Sequence, residues 1–251
     1  MKKGGIMKMH VLPLVVALMA TPLYVSAADA PKPVGQQILV KVEPQPWQTR
    51  RAVFAETIDA LGASQGKDAV AMARFDGMLT DFEKNPLSLT PMEAMDYYGI
   101  FYVPREGATH TPQILQMVSF FATLGWYDAL RFADDSGRAE IIDNEFFFNR
   151  AYRLGGQQQI QLLSDFLTTQ PQQAAQAVQA GIAMARNARA RGDKYDEHWP
   201  TAYGLQRMMC GLEGKKNCPK PPAMPQAQWD GAFAKAVATV ENYYRDNSGR
   251  K

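Results

Sequence analysis

The chain has 251 residues, 46% of them hydrophobic and 21% charged, with 27 basic side chains against 25 acidic ones. That length supports one large domain or two small ones. Three of the lysines fall in the first ten residues, so setting aside residues 1–27 leaves 24 bases against 25 acids. A near-neutral remainder excludes an electrostatic case for nucleic acid or for an anionic membrane surface.

In chain order the first feature is a leader. Met1 to His10 carries Lys2, Lys3 and Lys8 and no acid, and Val11 to Leu23 is apolar apart from Pro13, Thr21 and Pro22. Val25-Ser26-Ala27 then supplies the small residues that a signal peptidase reads. This order predicts a secretory signal peptide over 1–27, cut between Ala27 and Ala28, and a periplasmic product. The apolar stretch is shorter than the roughly 20 residues that span a bilayer. No cysteine stands at the exit, so no lipid anchor is expected there. The next most apolar run, Met117 to Tyr127, is flanked by Gln116 and Asp128 and reads as a buried core helix. Stable membrane insertion is therefore not expected.

Residues 28–46 are rich in Pro, Lys and Gln and read as an extended arm. Within it, Ile38-Leu39-Val40-Lys41-Val42 reads as a short strand or as a segment that docks on the body. The helical domain is expected over 47–251. Val53, Phe54, Ile58 and Leu61 share a helical face that stops at Gly62. Val70, Phe75, Met78, Leu79 and Phe82 make a second stripe, ended by Asn85-Pro86. Thr90-Pro91-Met92-Glu93 is a capping box with proline just inside the helix. Thr111-Pro112-Gln113 opens a helix to about Phe132 whose apolar residues surround its axis, which predicts a central position. Gln170-Pro171 opens another, to about Arg191. Further helices are expected at about 138–152, 156–168, 200–211 and 226–247. The predicted fold is all-α: a single globular domain of eight or nine helices with an extended N-terminal arm. Gly211 to Gln226, with four prolines, reads as a linker to the terminal helix. Cys210 and Cys218, exported, are expected to form a disulfide.

Catalytic signatures are scarce. The sequence holds no Gly-x-Ser-x-Gly elbow, no His-Glu-x-x-His pair and no phosphate-cradling glycine loop. Past the leader only His110 and His198 remain to act as an imidazole base. The densest polar cluster is Asp193, Asp196, Glu197 and His198. On a helix its acids would share a face, able to hold a divalent metal or act as acid and base. The plainer reading is a solvated connection between Gly192 and Trp199-Pro200. Asp134-Asp135-Ser136-Gly137 lacks the alternating ligands of a calcium loop and reads as a turn that caps the next helix. Glu140 and Glu145 offer two carboxylates of the kind that cleave a glycosidic bond. A helix with an acidic outer side and an aromatic inner side explains them with less. No metal or cofactor is expected.

Four pairs of adjacent aromatics stand out: Tyr97-Tyr98, Phe101-Tyr102, Trp126-Tyr127 and Tyr243-Tyr244. Neighbours on a helix point in different directions, so part of this set is expected at the surface, with Tyr98 and Tyr244 as candidate partner contacts. Glutamines cluster over 157–161 and 170–179 and predict an uncharged polar face. These features favour an exported, non-catalytic protein that binds a protein partner, most concretely an immunity protein against a toxin effector. The alternatives are an envelope-polymer hydrolase and an envelope assembly factor.

Overall fold

A computed structural model describes residues 45–98, 107–153, 157–215 and 218–247. The leader, its Ala27–Ala28 junction, the arm up to residue 44 and the Phe101-Tyr102 pair lie outside the described residues. Within them there are ten α-helices and no strand. They are α1 (Pro46–Ala63), α2 (Ala69–Lys84), α3 (Pro91–Tyr97), α4 (Thr111–Phe132), α5 (Asp135–Glu145), α6 (Phe147–Arg153), α7 (Gln157–Thr169), α8 (Pro171–Arg191), α9 (Leu205–Leu212) and α10 (Trp229–Asn247). The all-α prediction holds. None of these helices is long and apolar enough to cross a membrane.

The capping residues act as their chemistry demands. Thr90 Oγ1 accepts from the Glu93 N–H, and Glu93 Oε2 accepts from the Thr90 N–H at 2.8 Å. Asp68 caps α2 by accepting from Val70 N and Ala71 N. Asp134 Oδ1 accepts from Gly137 N at 2.7 Å, so this acid starts α5. The expected turn is a helix cap.

The apolar helix α4 is the axis of the core. Leu115, Val118, Phe121, Leu124 and Ala129 are all nearly inaccessible. It packs most extensively on α8, then on α10 and α3. The α8 face turned inward is mostly small: Ala174, Ala177, Gly181, Ala185 and Ala188 are buried, with Val178 and Ile182 beside them. A Cβ at Gly181 would lie 2.2 Å from the Gln116 carbonyl oxygen and 2.8 Å from Phe120 N. The two backbones touch there, and only glycine fits. The buried alanines of α8 are thus a packing seam, and its glutamines take the outer side.

Two expected helices are split. The helix foreseen at 138–152 breaks at Phe146, which is extended and buried between Trp126 and Tyr243. The helix foreseen at 200–211 becomes a short turn at Trp199–Ala202 followed by α9. Cys210 and Cys218 are disulfide-bonded, with Cα atoms 5.7 Å apart, and tie α9 to the proline-rich connection.

The expectation for the aromatic pairs is corrected. Tyr97, Trp126, Tyr127 and Tyr244 are all buried. Trp126 and Tyr127 both point inward because α4 is packed on more than one side, whereas Tyr98 and Tyr243 are partly exposed beside their buried neighbours.

Candidate functional site

A cavity lies where the end of α8 and the connection after it cross the second half of α4. Helix α8 stops at Gly192, whose φ of +70° is left-handed. Its N–H donates to Arg189 O and the next one, of Asp193, to Ala188 O, both at 3.1 Å. The connection 193–198 then lines a cavity of about 560 Å³ together with Tyr127, Arg131 and Trp229.

At its floor is a clamp. Arg131 is 4% exposed, and its guanidinium carbon lies 3.9 Å from the Tyr127 ring centre, 4.6 Å from Phe132 and 4.7 Å from Trp229. Its Nη2 donates to Asp128 Oδ1 at 2.6 Å, and its Nη1 pairs with Glu197 Oε2 at 3.0 Å. Asp128 is wholly buried. It also accepts from Tyr195 OH and from Trp199 Nε1, each at 3.0 Å. Loss of water pushes the Asp128 carboxyl up to about 7, and the single arginine and the two neutral donors do not bring it back. Arg131 Nε has no hydrogen-bond partner.

The predicted polar cluster is at this cavity, in an irregular connection with no helical face. Asp193 pairs with Arg191, and Glu197 with Arg131. Asp196 is exposed, and the His198 ring lies 4.4 Å from that of Phe132. Among the described residues no group of three His, Cys, Asp or Glu side chains could hold a metal ion.

Glu140 and Glu145 are each a tether. Glu145 is buried, accepting from Arg51 Nη2 at 2.7 Å and Tyr203 OH at 2.8 Å. Glu140 accepts from the Gly204 N–H at 3.0 Å. Glu145 belongs to a second buried network. There Asp96 takes two-pronged hydrogen bonds from both Arg51 and Arg150, and Glu93 takes one such pair from Arg50. Arginine holds Asp96 below its ordinary value in spite of complete burial.

As a candidate partner contact, Tyr244 is corrected. Tyr244 is 3% exposed, because α10 lays it against the core. Tyr98 is half-buried against Phe82 and Phe121. The residues that matter at the cavity, Asp128, Arg131 and Trp229, did not stand out in the sequence. One signal was present: Asp128 and Arg131 are an i, i+3 ion pair inside the most apolar helix of the chain. No protein-family model, no curated protein and no solved structure matches this chain, and the site stands on its own geometry.

Proposed function

We propose that this chain is a periplasmic, non-catalytic protein that receives part of a protein partner in the recess over Arg131. The observation that carries the reading is how the recess spends its charges. Asp128, Glu197 and Arg131 hold one another, and Asp193 is held by Arg191. A general acid or base must reach the proton it moves. Carboxylates locked to arginines instead make a rigid floor. Rigid, aromatic-walled recesses with charged rims suit the few buried anchor side chains that carry most binding energy. The concrete form is an immunity protein that neutralises a toxin effector in the compartment to which the leader would send it.

Capture from envelope extract tests this, with the exported chain as bait and a Lys194→Glu, His198→Ala double variant as control. Both side chains are exposed at the recess. The expected result is one protein retained by the wild-type chain and lost with the variant. The same preparation is incubated with purified peptidoglycan. Release of soluble fragments that Glu197→Gln abolishes would replace this reading with an envelope-polymer hydrolase.

A further inference from the structure

Away from the recess, α9 turns an apolar stripe outward. Leu205 is 55% exposed, Met208 52%, Met209 47% and Leu212 41%. Their spacing of i, i+3, i+4 and i+7 puts all four on one face. The opposite side holds Cys210, buried and bonded to Cys218. A disulfide-anchored helix thus presents its apolar face away from the core.

The start of the described chain lies at the foot of this helix. Gln45 Nε2 donates to Thr201 Oγ1 at 3.5 Å. The Trp47 ring stacks on Tyr203, with centres 5.9 Å apart and an interplanar angle of 15°. Tyr203 is two residues before Leu205. Immediately upstream of Gln45 the sequence carries Leu39, Val40 and Val42. Six extended residues reach about 20 Å, whereas the whole of α9 is about 12 Å long.

We propose that the stripe of α9 is the docking site of this chain's own segment Leu39–Val42. Two arguments favour this occupant over a second copy. Four half-exposed side chains offer on the order of a few hundred Å², well short of the roughly 800 Å² per partner of a stable dimer. A tethered segment needs far less area, because a short linker holds it near the site at millimolar effective concentration. Methionine, unbranched and flexible, also shapes itself to β-branched side chains such as Val40 and Val42. The arm thereby joins the cystine in holding α9, and the docked segment removes apolar surface that would otherwise attract other chains. This inference is independent of the recess.

Peroxide oxidation of methionine tests it, since the rate follows access to the sulfur. The full chain and a Leu39→Ser, Val40→Ser, Val42→Ser variant are exposed to hydrogen peroxide, and sulfoxide at each methionine is followed by peptide mass spectrometry. Met72, 37% exposed on α2, is the internal reference. Met208 and Met209 should oxidise about fivefold more slowly in the native chain than in the variant, with Met72 unchanged. If the triple variant also alters Met72, Val40→Lys alone carries the comparison and should give a partial loss of protection. Equal rates at Met208 and Met209 in native and variant chains would overturn the proposal. So would protection in the native chain that disappears on dilution, which would assign the stripe to a second copy.

Discussion

Two aspartates, both wholly buried, meet opposite fates in this molecule. Asp96 faces Arg51 and Arg150, in a network where three arginines meet three acids. Asp128 faces Arg131 alone, and Arg131 is shared with Glu197. Burial opposes ionisation at both sites, yet Asp96 stays below its ordinary value while Asp128 rises to about 7. Burial sets the size of the penalty, and the count of cations decides the outcome. The first set of ion pairs joins α1, α3, α5 and α6. The second lies at the cavity and is short of positive charge.

The sharpest way to break this contrast is to neutralise each acid in turn. Asp96→Asn strands the Arg150 guanidinium and leaves Arg51 with Glu145 as its one acid, and should cost about 3–5 kcal/mol in urea unfolding at pH 7. A cost equal to that of the matching change at Asp128 would refute the contrast. Gly181→Ala comes next, at about 1–3 kcal/mol, because its methyl group must push α8 off α4. The recess is built across that seam, so Gly181→Ala should couple to Asp128→Asn and add simply to Asp96→Asn in double-mutant cycles. Asp128→Asn itself should cost only about 1 kcal/mol at pH 5, where the native side chain is already neutral and the change alters hydrogen bonds alone.

In the pH trend the two acids have opposite signs. Asp128 is raised from 3.8 to about 7. Its contribution is fully present below pH 3.8 and is lost as pH rises through about 7. Asp96 is lowered, so its contribution is present above pH 3.8 and is lost as pH falls through its folded value. The cost of Asp128→Asn should therefore shrink between pH 4 and pH 8. The cost of Asp96→Asn should shrink in acid. Thermal melts of the three proteins from about pH 2 to about pH 8 measure both slopes, the Asp96 slope below pH 3.8 and the Asp128 slope above it, and parallel slopes would show that the charge count does not decide.

Local rules in the sequence reached the helices. Proline at first positions, Thr90 with Glu93, and the all-round apolarity of α4 marked starts and the centre, because capping and periodicity act within one element. Partnership between elements was out of reach. Glu145 read as a solvent-facing acid because Arg51, its partner, is 94 residues away. Tyr244 read as a surface residue because nothing local says how many neighbours α10 packs against. The stripe of α9 has the spacing of a core face, and only the fold reveals that it points out. The polar run 193–198 was visible as a cluster, but the arginine that organises it lies on α4.

The reading proposed above rests on the recess over Arg131 receiving part of a protein partner. The direct measurement is calorimetric titration of the captured partner against the wild-type chain, Trp229→Ala and Met72→Ala. Trp229 forms one wall of the recess and packs on Arg131. Met72 is on α2, outside the recess. The account predicts that Trp229→Ala weakens binding by about 2 kcal/mol or more, with its fold verified by a melt, while Met72→Ala leaves binding unchanged. Wild-type affinity in a folded Trp229→Ala protein would contradict it.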